Sequence, residues 1–165
     1  MHSALWIPRL IATLLASALL EVGCATHPAP PVAPAPWLAA PTDQGAVIAA
    51  VAASLVGTPY HFGGADESGF DCSGLALYVH QRAGLAIPRT AAAQQRAARP
   101  VSLAELVPGD LVFFRIRARR AIDHVGIYAG AGRFIHAPRA GQTVTYADLT
   151  QGFYAGRLRS AGRFW

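Results

Sequence analysis

Three residues of this 165-residue sequence carry side chains suited to nucleophilic catalysis: Cys72, His124 and His136. Cys72 lies in the run Gly69-Phe70-Asp71-Cys72-Ser73-Gly74-Leu75, where a glycine-rich segment gives way to a helical pattern. Unpaired N–H groups in the first turn of a helix favour thiolate over thiol. They move the pKa of a cysteine from about 8.5 toward neutrality, as a nearby imidazolium does. The two histidines lie in β-rich runs, so together the three residues indicate a Cys–His nucleophilic site.

Each of these residues also has an interpretation without catalysis. A solitary cysteine is most often a small buried hydrophobe, and a histidine among Val, Ile and Phe is often a hydrogen-bonded strand residue. Cys72, His124 and His136 could in principle bind zinc, but the sequence has no close ligand pair such as C-x-x-C or H-E-x-x-H. We favour catalysis, because nucleophile, base and orienter come from separate elements in such sites. We expect no metal and no cofactor.

The first 24 residues are typical of an export signal. Arg9 precedes the apolar stretch Leu10 to Leu20, which is too short to span a bilayer comfortably. Gly23-Cys24 resembles a bacterial lipobox, although Glu21 occupies a position where that pattern prefers Leu. We expect Cys24 to be lipidated and to anchor the protein to a membrane. In a Gram-negative source Ala25 resembles the signal for the periplasmic side of the outer membrane; in other sources we expect the cell envelope.

Residues 25–42 are predicted to be an extended linker, because alternating Ala and Pro forms no helix and buries no core. Its prolines are Pro28, Pro30, Pro31, Pro34, Pro36 and Pro41. The remaining residues, 43–165, are long enough for one domain with a sizeable core. We therefore predict a signal over 1–24, a linker over 25–42 and a single domain over 43–165.

The formal net charge is +5 and every basic residue is arginine. The densest patch is the run Arg115-Ile116-Arg117-Ala118-Arg119-Arg120. Such a run is most simply a solvated hairpin loop, and the alternative is attraction to an anionic wall polymer or to lipid headgroups. A single basic loop with no interleaved aromatic residues argues against nucleic-acid binding.

The periodicity predicts helices first and strands afterwards. Helices are predicted from Thr42 or Asp43 to about Gly57, from Cys72 to Gly84 with Asp71 as N-cap, and over Thr90–Ala98. Strands are predicted over Leu111–Phe114, His124–Tyr128, Arg133–His136, Thr143–Tyr146 and Phe153–Arg159. This order indicates an α+β domain whose N-terminal helices pack on an antiparallel sheet of about five or six strands. His61 and His80 are expected at the surface.

Seven motifs, in order and from about Asp43 to the C-terminus, resemble the NlpC family of bacterial cell-wall cysteine peptidases. They are Gly57-Thr58-Pro59-Tyr60, Gly63-Gly64, Gly69 to Leu75, Pro88-Arg89-Thr90 with Gln94, Pro108 to Phe114, His124 to Tyr128, and Phe134-Ile135-His136-Ala137. The resemblance implies a papain-like fold in circularly permuted order. It also implies cleavage of peptide bonds in murein stem peptides or cross-links.

The resemblance also implies roles for individual residues. Cys72 matches the nucleophile, His124 the general base, and His136 the residue that orients the imidazole. Tyr60 matches a tyrosine that contacts the nucleophile or helps to hold the oxyanion, with a packed aromatic as the equally weighted alternative. Asp123 and Asp148 are rival orienters.

Two further residues complete the predicted site. We assign Ser73 and Arg89 to oxyanion or substrate binding, with Arg89 pairing with a stem-peptide carboxylate. The expected protein is a monomer that acts on peptidoglycan stem peptides. The alternatives are a non-catalytic wall-binding lipoprotein, or an amidase or acyltransferase that acts on another substrate.

Overall fold

The computed structural model describes residues 43–117 and 120–165. The predicted signal, the predicted linker and Cys24 lie outside these residues. Four α-helices are described: α1 (Gln44–Ser54), α2 (Cys72–Arg82), α3 (Ala91–Ala97) and α4 (Gly152–Ala155). The strands are β1 (Ala65–Asp66), β2 (Gly69–Phe70), β3 (Arg99–Val101), β4 (Leu111–Phe114), β5 (His124–Gly130), β6 (Arg133–His136), β7 (Thr145–Asp148) and β8 (Leu158–Arg163), with a 3₁₀ turn at Leu103–Glu105. Among the described residues, no helix is both long and apolar enough to span a membrane.

The predicted α+β architecture is confirmed. β3 to β8 form a six-stranded sheet in the order β3-β8-β4-β5-β6-β7, and every neighbouring pair is antiparallel. β1 and β2 form a separate two-stranded hairpin immediately before α2. The helices at the N-terminal end of the domain pack on the central strand β5, which α1, α2 and α3 all contact.

The central strands are buried on both faces because their side chains alternate between two apolar clusters. In β4, Leu111 and Phe113 join the larger cluster, which includes Ile48 of α1 and other helix residues. Val112 and Phe114 point into a smaller cluster on the opposite face. The central strands are therefore packed on both faces, which restricts the movement of their side chains.

Local sequence signals position the three longer helices as predicted. Asp43 caps α1 by accepting a hydrogen bond from the N–H of Ala46 at 3.1 Å. Gly84, with φ of +80°, follows the C-cap of α2 in the left-handed conformation that glycine adopts without strain. Thr90 caps α3, so the predicted boundaries at this helix are correct to within one residue.

The C-terminal predictions need correction. The expected strand over Phe153–Arg159 is wrong at its start, because residues 152–155 form the helical turn α4, bracketed by Gly152 (φ +67°) and Gly156. β8 instead runs to Arg163, where Ala161 and Gly162 pair with both β3 and β4. These small residues are poor strand formers, so here tertiary packing overrides local propensity.

Three other differences concern two short strands and one histidine. The strand expected over Thr143–Tyr146 lies two residues later, as β7, while Thr143 forms an isolated bridge to Pro59. β3 was not predicted, because its Pro100 lowers strand propensity and is tolerated on an edge strand. His80 is fully buried rather than exposed.

One buried ion pair ties the start of β4 to β8. The guanidinium Nε of Arg163 lies 2.5 Å from one carboxylate oxygen of Asp110, and its Nη2 lies 2.7 Å from the other. Asp110 has no solvent exposure and also accepts a hydrogen bond from the N–H of Val107. This bidentate geometry compensates for the burial of the carboxylate.

Candidate active site

Cys72 is the first residue of α2, and the preceding loop sets its position. Asp71 is the N-cap, and its carboxylate accepts a hydrogen bond from the N–H of Gly74 at 2.6 Å. A Cβ added at Gly74 would lie 1.9 Å from the carbonyl oxygen of Gly64, so this turn requires the absence of a side chain. The start of α2 is thus locked against the glycine-rich loop, with Cys72 partly exposed at the end of the helix.

The thiol of Cys72 does not have the low pKa that its helix position predicts. Burial raises the pKa of Cys72 to about 11, and the negative charge of Asp71 acts in the same direction. The N–H groups of Val125, Ser73 and Cys72 itself lower it, but their effect is smaller. Desolvation therefore exceeds the helix-terminus effect, and Cys72 is a neutral thiol at neutral pH.

His124 and His136 meet at the end of the sheet. His124 begins β5, His136 ends β6, and Nε2 of His124 lies 2.8 Å from Nδ1 of His136. Both are buried, with 6% and 1% of their surface exposed. Burial lowers the pKa of His124 to about 4 and that of His136 to about 3, the latter with a contribution from the charge of His124. Both imidazoles are neutral at pH 7.

Tyr154 was not singled out in the sequence analysis. Its ring stacks on His124 at 6.0 Å between centroids and meets His136 edge-on at 4.9 Å. It also lies against Phe114 and Phe134. The glycines on either side of residues 153–155 were the available signal, because they favour a turn over a continuous strand.

Tyr60 lies beside Cys72. Backbone hydrogen bonds hold its loop: the N–H of Tyr60 donates to the carbonyl of Gln142 at 2.8 Å, and Tyr60 forms a bridge to Phe70. Burial raises the pKa of the Tyr60 hydroxyl, and a negative charge at Cys72 raises it further. Within residues 43–117 and 120–165 this hydroxyl makes no hydrogen bond, so it remains available as a donor.

Ser73 and Arg89, which the sequence analysis assigned to oxyanion or substrate binding, hydrogen-bond to each other and to Asp71. Arg89 forms a bidentate ion pair with Asp71, at 2.6 and 3.0 Å, and also donates to the hydroxyl of Ser73 at 3.0 Å. Ser73 is buried and donates to Asp71. Burial would raise the pKa of Asp71, but the hydrogen bonds from Arg89 and Gly74 outweigh it and the net shift is downward. This cluster supports the loop beneath Cys72, and neither Ser73 nor Arg89 lines the cleft.

A cleft of about 690 Å³ brings the reactive groups together. Cys72, His124 and Tyr60 line it, while His136 lies behind His124. The cleft is also lined by two arginines and three aromatic residues: Arg117, Arg139, Phe62, Phe153 and Tyr154. The arginines that line this cleft are therefore Arg117 and Arg139, whereas Arg89, which the sequence analysis assigned to substrate binding, does not line it.

The two rival orienters have other contacts. Asp123 accepts hydrogen bonds from the N–H groups of Ile116 and Arg117, and so shapes the β4–β5 loop. Asp148 accepts from Thr150 and Gln151 at the turn before α4. Within the described part of the chain, no group of three or more His, Cys, Asp or Glu side chains is placed to hold a metal ion.

The fold and the cleft define a papain-like α+β domain, and comparison with known proteins identifies the family. The profile of the NlpC/P60 family matches residues 57–163. The chain is 43% identical over 115 residues to a gamma-DL-glutamyl hydrolase of Bacillus subtilis, which covers 68% of this chain and 28% of the relative. It is 44% identical over 103 residues to the murein DD-endopeptidase MepH of Escherichia coli, which covers 60% of this chain and 38% of the relative.

A solved structure agrees with these sequence matches. An NlpC/P60 family protein from Bacillus cereus superposes with a TM-score of 0.70 at 32% identity, over 75% of this chain and 41% of the other. This chain belongs to the NlpC/P60 family. It spans less than half of the length of each of these three proteins.

Proposed function

We propose that this protein is a peptidoglycan endopeptidase that hydrolyses a peptide bond in murein stem peptides or cross-links. The observation that carries the proposal is that Cys72 and His124 line one cleft, with His136 at hydrogen-bond distance behind His124. Relatives of the same family are named as a murein DD-endopeptidase and a gamma-DL-glutamyl hydrolase. No cofactor enters the proposed reaction.

The reaction begins with a neutral thiol and a neutral imidazole. Nε2 of His124 and Nδ1 of His136 lie at hydrogen-bond distance. We assign the proton of this hydrogen bond to Nε2 of His124, which leaves Nδ1 of His124 unprotonated as the base. As the sulfur of Cys72 forms a bond to the substrate carbonyl carbon, its proton passes to Nδ1 of His124. The low pKa of His136 keeps that residue neutral, so it can accept the hydrogen bond throughout.

The intermediate then collapses to a thioester. The oxyanion is stabilised by the N–H of Cys72, which has no partner within α2, and by the hydroxyl of Tyr60. The C–N bond breaks, and His124 gives its proton to the leaving amine. Water, deprotonated by His124, attacks the thioester, and the proton returns to sulfur as the thiol is released.

Arg117 and Arg139 supply positive charge to the cleft. Murein stem peptides carry free carboxylates, and a guanidinium binds a carboxylate through two parallel hydrogen bonds. These two residues, rather than the ion-paired Arg89, are the substrate-binding arginines in this proposal. Ser73 and Arg89 instead hold the loop that presents Cys72.

We also propose a location, which rests on the sequence pattern of residues 1–42. Residues 1–24 are a lipoprotein-type signal, Cys24 carries the lipid, and residues 25–42 hold a monomeric domain away from the membrane. The protein thus acts in the cell envelope, on the periplasmic side of the outer membrane in a Gram-negative cell. Metabolic labelling with a clickable fatty acid tests this, since the label should be lost in Cys24→Ser.

Digestion of purified peptidoglycan tests the activity. The full chain, reduced, is incubated with peptidoglycan and the released fragments are identified by mass, in parallel with Cys72→Ser. Fragments from the wild type alone, with masses that identify one cleaved peptide bond, support the proposal. Fragments from both proteins would exclude Cys72 as the nucleophile. No fragments from a folded wild type would favour a wall-binding role or another substrate.

A further inference from the structure

A second cavity, of about 330 Å³, lies between α3, β8 and the β4–β5 loop. Four arginines line it, and we call them the arginine pocket: Arg96, Arg115, Arg120 and Arg159. The other lining residues are Ala92, Gln95, Ala121 and Ile122. Among the described residues no Asp or Glu lines this cavity, so its formal charge is +4.

The four charges come from three separate elements. Arg96 lies on α3, Arg159 on β8, and the other two on the β4–β5 loop. The basic run in the sequence contains only the loop residues, so the convergence is a property of the fold. The four guanidinium groups repel one another. A bound anion would attract all four and so offset this repulsion.

Carboxylates do not neutralise most of this charge. In the described part of the chain the ion pairs are Arg89 with Asp71 and Arg163 with Asp110, and neither includes Arg96, Arg120 or Arg159. Arg96 and Arg120 make no hydrogen bond or ion pair with a described residue. Arg159 donates from Nη1 to the carbonyls of Gly156 and Leu158, at 3.1 and 2.7 Å.

The wall formed by β8 has a specific geometry. Where β4 pairs with β8, the register changes from Phe113 opposite Ser160 to Phe114 opposite Leu158, so Arg159 is the additional residue of a β-bulge. Bulges redirect a side chain away from the regular sheet. Gln95 of α3 donates to the hydroxyl of Ser160 at 3.2 Å and joins the two walls. Rigid elements, and not only a loop, therefore position Arg96 and Arg159.

We propose that the arginine pocket binds a phosphate group, either free phosphate or the headgroup phosphate of an anionic lipid. A guanidinium matches phosphate oxygens through parallel, charge-assisted hydrogen bonds. Four positive charges around one cavity exceed the requirement of a single carboxylate and suit a phosphate, which offers more acceptor oxygens and up to two negative charges. This site is distinct from the catalytic cleft and does not require Cys72.

Calorimetric titration of the full chain with sodium phosphate, at constant ionic strength in chloride, tests the proposal. The double variant Arg96→Gln/Arg120→Gln should weaken phosphate binding at least about tenfold, because each arginine provides charge-assisted hydrogen bonds. The matched control Arg82→Gln/Arg133→Gln makes the same charge change at exposed arginines elsewhere. Its affinity should stay within about twofold of the wild type.

Three further measurements sharpen the result. Arg96→Lys keeps the positive charge but loses the paired N–H donors of the guanidinium, so it should weaken phosphate binding. This single variant provides a test if the double variant does not fold. Sodium acetate should compete poorly. Cosedimentation with phosphatidylglycerol vesicles, against phosphatidylcholine vesicles, distinguishes the sources: loss in the pocket variant alone identifies the lipid headgroup, and phosphate binding without vesicle preference identifies free phosphate.

Three outcomes would overturn the proposal. The first is an absence of saturable phosphate binding together with no preference for phosphatidylglycerol. The second is equal weakening in both double variants, which would indicate only long-range electrostatics. The third is competition by acetate as strong as that by phosphate.

Discussion

At the scale of single residues, burial controls the protonation of the site. It raises the pKa of Cys72 to about 11 and lowers that of His124 to about 4, so between these values the two groups are neutral. A resting thiolate–imidazolium pair would require the opposite order of pKa values. The proton must therefore move during the attack on the substrate, which makes the geometry around His124 decisive.

Alkylation measures this directly. The rate of modification of Cys72 by iodoacetamide should be low at pH 7 and keep rising above pH 9, because the thiolate fraction grows only as the pH approaches about 11. Peptide mapping of the full chain separates Cys72 from Cys24. The same chain in urea, where a cysteine titrates near 8.5, is the control. A rate that is already maximal at pH 7 would establish a thiolate–imidazolium pair instead.

His136 is expected to act through His124. In the tautomer proposed above, His136 accepts from Nε2–H of His124, so replacing His136 with Ala removes this acceptor and the preference for that tautomer. We expect kcat on a stem-peptide substrate to fall at least about 100-fold with KM little changed. His136→Asn, which restores an acceptor oxygen, should recover part of the loss. Equal kcat values for the Ala and Asn variants would argue against an orienting role.

At the scale of elements, the short helix α4 packs against His124 and His136 through Tyr154. Tyr154→Ala removes a ring that contacts both imidazoles and should lower kcat by roughly tenfold through loss of positioning. Tyr154→Phe keeps the ring and should retain most of the activity. Steady-state kinetics of the two variants separates these effects. If Tyr154→Phe is as impaired as Tyr154→Ala, the hydroxyl and not the packing is required.

The contact between the start of α2 and the glycine-rich loop makes a second prediction at this scale. Gly74→Ala should destabilise the domain by about 1–3 kcal/mol, because the new Cβ meets the carbonyl of Gly64. Gly156→Ala is the matched control, since nothing lies within 4 Å of its Cβ and its φ is −75°. Urea unfolding measures both. A Gly74→Ala variant as stable as the control would show that the loop moves freely.

The elements that the sequence could predict are those with strong local signals. α2 has an N-cap, an apolar face and a C-terminal glycine, and Leu111–Phe114 is a continuous apolar strand. The C-terminal half of β8 and the helix α4 could not be predicted, because Ala161 and Gly162 are small and Tyr154 packs against histidines that are distant in sequence. Motif spacing indicated Cys72, His124 and His136, but it could not reveal which arginines enter the cleft. Arg89 pairs locally, whereas Arg139 arrives from a distant loop.

At the scale of the whole molecule, buried neutral histidines should make the fold sensitive to acid. Burial lowers the pKa of His80 to about 4, against an ordinary value of 6.5, and lowers those of His124 and His136 similarly. Between these values the unfolded chain binds more protons, so stability is complete above about pH 6.5 and is lost as the pH falls toward 4.

Urea unfolding at several pH values measures this loss. Each histidine should contribute up to about 1.4 kcal/mol per pH unit within this window. In His80→Leu, which removes one titrating group outside the catalytic cleft, the slope should be smaller by that amount. An unchanged slope would mean that His80 titrates alike in the folded and unfolded states.

The most direct test of the central claim is to trap the thioester on Cys72. Peptidoglycan is digested by the full chain in the presence of hydroxylamine, and the new carboxyl ends are examined by mass spectrometry, with Cys72→Ser as the control. An acyl-enzyme predicts that part of the product appears as the hydroxamate, and only with the wild-type protein. Cleavage that yields the free acid alone at high hydroxylamine, or the same products from Cys72→Ser, would contradict covalent catalysis by Cys72.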